Sequence, residues 1–200
     1  MTRILLVRHG QSTWNADGRW QGQADPPLSD LGIRQSEVAA EAEVMAEVCA
    51  VWASPLERAH ATAQRIAERL TLPVAVDGRL AERDAGEWTG LTRVQIEAEW
   101  PGYLASHRRP PGFEGDESLV ERSLAALRAI ADAHPGTTTL VVSHGGVIRA
   151  VERSLGAADA PPVPNLGGRE VGYTGAAPAL GERFLLIDPD AIEVTTPHQL

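Results

Sequence analysis

The chain has one cysteine, Cys49. No internal disulfide is possible, so the fold must rest on a buried apolar core. No apolar run approaches the ~18 residues that a membrane-spanning helix needs. Positive charge is in deficit, with a net charge of −9 at pH 7, which argues against nucleic acid or an anionic membrane as partner. Low-complexity tracts, blocks of like charge and repeat periods are missing too. So is the spacing of a His/Cys/Asp/Glu metal site, and neither metal nor other cofactor is expected. An apolar strand follows Met1 and Thr2 directly, and no leader segment is expected. Cys49 lies in an apolar stretch and reads as a small core residue. Together these features give the expectation of a cytoplasmic protein.

What is present suits one globular domain over residues 1–200: 43% of residues are hydrophobic and 22% charged. Apolar runs at 2–7, 48–53, 73–76 and 138–142 read as strands. They alternate with helical patterns at 29–47, 54–70, 117–134 and 147–155. Ser54-Pro55-Leu56-Glu57 reads as a capping box, with Ser54 as N-cap. Residues 9–27 form a long polar loop. Residues 92–100 are a short helix with Thr92 at its cap, and the proline- and glycine-rich stretch 101–115 is loop, so that 92–117 resembles a lid-like insertion. Residues 184–187 and 192–195 read as a closing hairpin. The alternation predicts an α/β fold, a three-layer α/β/α sandwich around a mostly parallel sheet.

Two of the strands end alike. Ile4-Leu5-Leu6-Val7 runs into Arg8-His9-Gly10, and Leu140-Val141-Val142 into Ser143-His144-Gly145-Gly146. Either histidine alone would pass as a loop or core residue. Together they bring two imidazoles to the carboxyl edge of the sheet, where ligands bind in open α/β folds. Arg58 lies one turn into a helix just past another strand end, and Glu82 follows the third strand. Arginine forks match phosphate geometry. A neutral imidazole can attack phosphorus, and a carboxylic acid can protonate the leaving alkoxide.

Arg8-His9-Gly10-Gln11-Ser12-x-Trp14-Asn15 resembles the signature of the histidine phosphatase superfamily, also called phosphoglycerate-mutase-like. Ser54-Pro55-Leu56-x-Arg58-Ala59-x-x-Thr62-Ala63 is similar to its second motif, Leu80-x-Glu82-x-x-x-Gly86-x-Trp88-x-Gly90 to its third, and Ser143-His144-Gly145-Gly146 to its fourth. The resemblance implies that His9 is the nucleophile that becomes phosphorylated. It implies a phosphate pocket of Arg8, Arg58, His144 and Gly145, with Asn15 and Gln21 contacting phosphate and substrate. Glu82 would be the general acid, chosen over the neighbouring Glu87 by its motif spacing. The family's activity uses no metal. Trp14 and Trp88 read as packing residues, Arg93 as solvated, and His60, His107, His134 and His198 as solvated or structural.

The family divides into hydrolases and mutases. Arg19-Trp20-Gln21-Gly22-Gln23 and Gly145-Gly146-Val147-Ile148-Arg149 resemble the hydrolase branch, and the 92–117 insertion is shorter than that of the mutases. The expectation is therefore a phosphomonoesterase acting on small phosphorylated metabolites through a phosphohistidine at His9. The alternatives are mutase-type phosphoryl transfer and a catalytically idle member that binds a phospholigand or a partner. Arg108 and Arg109 faintly resemble the mutase pair that grips a substrate carboxylate, which makes them a possible specificity loop.

Overall fold

The most apolar segment of the chain lies at the centre of the molecule. In the computed structural model, which describes residues 1–175 and 177–196, β1 (Thr2–Arg8) buries Ile4, Leu5, Leu6 and Val7 almost completely. A strand buried on both faces needs an unbroken apolar run, and this one has it. β2 (Val48–Ala53), β3 (Val74–Val76) and β4 (Thr138–Ser143) pair parallel to the same system, and β5 (Gly167–Tyr173) and β6 (Pro178–Leu185) close it as an antiparallel hairpin. The strand order is β3-β2-β4-β1-β5-β6.

Two cores flank this sheet, as the three-layer expectation requires. Leu5, Val7, Val51 and Leu140 face α2 (Asp30–Ala39) and α3 (Glu57–Leu70), whose Ala39, Ala59, Ala63 and Ile66 fill that side. Ile4, Leu6 and Val141 face α5 (Asp116–Ala133) and α6 (Gly145–Ser154) through Leu127, Ile130, Ile148 and Val151. Alternate residues of one strand thus feed opposite layers. The remaining helices are the four-residue α1 (Thr13–Ala16) and α4 (Arg93–Glu99), the latter capped by Thr92 as its sequence predicts.

Several local expectations are corrected. The closing hairpin is β5–β6, not 184–187 with 192–195. Residues 192–195 run instead across α2 and the start of β5. Their carbonyls accept from Gln35 Nε2 and from the Asn165 backbone N–H, while Ile192 and Val194 pack on the core. The helix expected over 29–47 ends at Ala39 and resumes as a 3₁₀ turn over Glu43–Glu47, which lets Met45 and Val48 both reach the core. Cys49 is exposed. The register of β2 shifts between Val48 and Ala50, and such a bulge turns the extra residue out of the pleat. Residues 9–27 are not wholly loop, because Ser12 and Asn15 cap each other around α1. His198 lies outside the described residues.

A third, smaller core stands over the carboxyl edge of the sheet. Trp20, Ala85, Trp88 and Ile96 are buried together, with Trp100, Tyr103 and Phe113 packed on them. The Trp20 and Trp88 rings meet edge to face at 5.1 Å, a favoured aromatic geometry. Trp20 N–H donates to the Leu91 carbonyl at 2.9 Å and Gly90 N–H to the Trp20 carbonyl at 2.8 Å, so Trp20 is laced to the segment that leads into α4. Trp88 is thus a packing residue, Arg93 is exposed, and His134 accepts from Trp52 Nε1 at 3.1 Å.

Candidate active site

Arg8 and Ser143 are register partners in neighbouring parallel strands, so His9 and His144 leave the sheet side by side. Their rings meet edge on, with centroids 5.2 Å apart. A cavity opens beside them, walled by Arg8, His9, Gln21, Arg58, Glu82 and Arg83, with Trp20 and Phe113 from the small upper core. Arg8, His9, Arg58 and His144 are all at most 5% exposed.

The protonation of His9 follows from its partners. Nδ1 lies 2.6 Å from the Gly10 carbonyl oxygen, which can only accept, so Nδ1 carries the proton. Nε2 lies 3.2 Å from Arg58 Nε, which can only donate, so Nε2 presents its lone pair. The His9 carbonyl accepts from Asn165 Nδ2 at 2.8 Å, which fixes the backbone beneath the ring. Burial, with Arg58 and Arg8 close by, holds this imidazole well below its ordinary value of 6.5. Burial and the same arginines lower His144 likewise. Both rings are therefore neutral at physiological pH, and His9 keeps its lone pair into mildly acidic solution.

The positive charge is equally constrained. Arg58 donates to the Gly22 and Ala24 carbonyls at 2.9 and 2.8 Å, and Arg8 donates to the Val163 carbonyl at 2.6 Å. Burial pushes both guanidinium groups down to about 10, with the Glu82 carboxylate acting against it. Both still carry their charge at neutral pH. Arg8 Nε and His144 Nδ1 are buried with no partner among the described residues. Leaving a donor such as Arg8 Nε unpaired costs about 1–3 kcal/mol, which an oxyanion in the cavity that Arg8 lines would relieve.

Glu82 is held from two sides. Arg83 N–H donates to Oε1 at 2.8 Å, and Gly146 N–H donates to Oε2 at 3.1 Å. The second donor belongs to the first turn of α6, whose N-terminus favours negative charge. Glu87 is exposed and does not line the cavity.

Residues 4–184 match the sequence profile of the histidine phosphatase superfamily (branch 1). The chain belongs to the histidine phosphatase superfamily. Over 179 residues it is 35% identical to the glucosyl-3-phosphoglycerate phosphatase of Mycobacterium tuberculosis (strain ATCC 25618 / H37Rv), covering 83% of this chain and 80% of that one. It is 39% identical over 160 residues to the metal-independent phosphoserine phosphatase of Arabidopsis thaliana, covering 76% and 67%. A solved mycobacterial glucosyl-3-phosphoglycerate phosphatase in complex with VO3 shares the fold with a TM-score of 0.80, at 29% identity over 90% of this chain and 96% of that one. All three of these proteins are named as phosphatases.

Against that family background the structure separates the sequence candidates. Arg8, His9, Gln21, Arg58 and Glu82 line one cavity, and His144 abuts it through His9. Gly145 packs under the Arg8 guanidinium, 3.3 Å from where a side chain would begin. Asn15 does not line the cavity; its Oδ1 accepts from Ser12 N–H and Asn165 Nδ2. Arg108 and Arg109 part company. Arg108 stacks on Tyr103, 4.0 Å from the ring centroid, while Arg109 reaches back over Phe113 and Trp88 at 5.2 and 5.6 Å.

Three residues escaped the sequence reading. Ser54 is not a helix cap, because α3 begins at Glu57 after Leu56. Its hydroxyl pairs with His144 Nε2 at 2.8 Å and accepts from Leu56 N–H at 3.3 Å. Asn165 lies in a stretch without periodicity, and Arg83 carries no motif signal. Only adjacency to Glu82 hinted at Arg83.

Proposed function

We propose that this chain hydrolyses phosphomonoesters of small metabolites in two steps, by way of a phosphoryl group carried on Nε2 of His9. In the first step the Nε2 lone pair attacks phosphorus and the ester P–O bond breaks. The carboxyl group of Glu82 gives its proton to the leaving alkoxide. In the second step water attacks the same phosphorus, Glu82 takes a proton from it, and the P–N bond breaks to release inorganic phosphate. Arg8, Arg58 and His144 hold the phosphoryl oxygens, with Gly145 allowing Arg8 its position. Gln21 completes the substrate side, and Asn15 acts from outside the cavity, bonded to Ser12 and Asn165. The observation that carries this reading is the fixed tautomer of His9, proton on Nδ1 and lone pair on Nε2, between two buried guanidinium groups.

The relatives named for glucosyl-3-phosphoglycerate and for phosphoserine set the first substrates to try. The test is a screen of small phosphomonoesters in the presence of EDTA, ranked by kcat/KM. Turnover that is undiminished by the chelator is expected. No turnover of any ester, nitrophenyl phosphate included, would leave an idle phospholigand-binding protein in its place. The exposed, unpaired Cys49 supports placing this activity in a reducing compartment, the cytoplasm. Among the described residues no helix is long and apolar enough to cross a membrane.

One variant tests how Glu82 is held. A Cβ on Gly146 would overlap the Glu82 carboxylate, so Gly146→Ala must displace the acid. Alanine suits a helix better than glycine does, and thermal stability should be kept. Displacing a reacting group by about 1 Å can cost 10²-fold, so kcat is expected to fall about 10- to 100-fold at an unchanged melting temperature. Assay and melting curve on the same preparation decide it.

A further inference from the structure

Gly10 follows His9, and the peptide units on both sides of Gly10 are gripped at each end. The unit joining His9 to Gly10 gives its carbonyl to Asn165 Nδ2 at 2.8 Å, and its N–H donates to Thr62 Oγ1 at 3.1 Å. In the next unit the Gly10 carbonyl faces His9 Nδ1 at 2.6 Å, and the Gln11 N–H donates to Gln35 Oε1 at 2.8 Å. A peptide unit is planar, so its carbonyl turns only if its N–H turns with it. Gln35 thus fixes, through Gln11, the direction of the carbonyl that sets the His9 tautomer. The backbones are close enough for this. A Cβ on Gly10 would meet the Gly32 carbonyl, one turn before Gln35 on α2, at 2.6 Å.

Gln35 and Asn165 are both fully buried, and neither lines the cavity. Both lead to one short segment. Gln35 Nε2 donates to the Glu193 carbonyl at 2.9 Å. Asn165 Oδ1 accepts from the Thr195 hydroxyl at 2.7 Å, and the Asn165 backbone N–H donates to the Thr195 carbonyl at 2.9 Å. Neither amide can be turned over, because the Gln11 N–H only donates and the His9 and Glu193 carbonyls only accept. Residues 192–195 are neither helix nor strand, and Ile192 and Val194 pin them to the core. Resting on the reading of His9 as nucleophile, we infer that segment 192–195 is a clamp on the nucleophile loop, with Gln35, Asn165 and Thr195 as its positioning residues. They keep the proton on Nδ1 and aim Nε2 without touching substrate, since the hydrogen bond at one ring nitrogen sets the state of the other. Phosphate binding does not pass through the clamp. Arg8 and Arg58 are anchored on the Val163, Gly22 and Ala24 carbonyls. Loss of the clamp should therefore appear in kcat and leave KM alone.

Three variants of the full chain test this. Gln35→Met keeps the length of the side chain and removes both of its hydrogen bonds. Thr195→Val keeps the branched shape and removes the hydroxyl, whereas Thr195→Ser keeps the hydroxyl. A reacting group misplaced by about 1 Å can cost 10²-fold, so Gln35→Met should lower kcat on nitrophenyl phosphate roughly 10- to 100-fold. Thr195→Val acts one bond further away and should cost about 3- to 10-fold, with Thr195→Ser close to the natural chain. KM and the affinity for inorganic phosphate should stay within about threefold throughout. Nitrogen-15 spectra of the imidazoles give a second readout, with the His9 signals identified by their absence from His9→Ala. They should show a protonated Nδ1 and a bare Nε2 in the natural chain and a mixture of tautomers in Gln35→Met. Unchanged kcat in both Gln35→Met and Thr195→Val overturns the inference, as does an equal loss in Thr195→Ser and Thr195→Val, or a loss confined to KM. Should Gln35→Met fail to fold, the half-buried Thr195 pair decides by itself. If the natural chain hydrolyses no ester, the hydrolytic reading falls, and the spectra still judge the clamp: an unaltered His9 tautomer in the folded variants refutes it, and a mixture upholds it.

Discussion

Replacing His9 by alanine is expected to lower kcat by several orders of magnitude while leaving phosphate affinity within about tenfold. Loss of a nucleophile is seldom compensated, because the remaining groups act only in concert with it. The oxyanion ligands do not depend on the imidazole for their position. Arg8 is anchored by the Val163 carbonyl, and Arg58 by the Gly22 and Ala24 carbonyls. Rapid quenching with a labelled phosphomonoester should trap an acid-labile phosphoprotein in the natural chain and none in the variant. Near-normal turnover by the variant, or no trapped intermediate in the natural chain, would exclude the covalent route. Calorimetric titration with inorganic phosphate separates loss of chemistry from loss of the pocket.

The second largest effect is expected at Glu82. Glutamine keeps the size of the side chain but cannot give up a proton, so hydrolysis of an alkyl phosphate should slow by roughly 10²–10⁴-fold. Nitrophenyl phosphate needs little help with its leaving group, so its phosphorylation step should slow much less. A burst experiment on both esters reads the difference directly. Equal slowing of the phosphorylation step would remove the acid role. Glu87→Gln should be nearly silent, because that side chain points away from the cavity into solvent.

The central strands were legible because parallel pairing under helices demands unbroken apolar runs, and residues 4–7 and 140–142 supply them. The chemistry was legible because the histidines follow those runs directly. What stayed hidden was set by distant partners. β5 reads Gly-Gly-Arg-Glu-Val-Gly-Tyr, which looks like loop. Yet Gly168 is there because a Cβ would press on the Leu6 carbonyl and the Phe184 ring. Ser54 has the local credentials of a cap, and only the fold brings His144 to its hydroxyl. Asn165 acts on the backbone of His9 from 156 residues away.

The small aromatic core above the sheet divides the labour of the molecule. The histidines and arginines proposed to read phosphate stand at strand ends and on α3, whereas Trp20 and Phe113 enter the cavity from a cluster with its own packing. Reaction and recognition are therefore encoded in separate stretches of chain. Drift in residues 92–113 can reshape what is admitted without disturbing a single hydrogen bond to His9, so a family built on this plan can diversify its diet while its chemistry stands still.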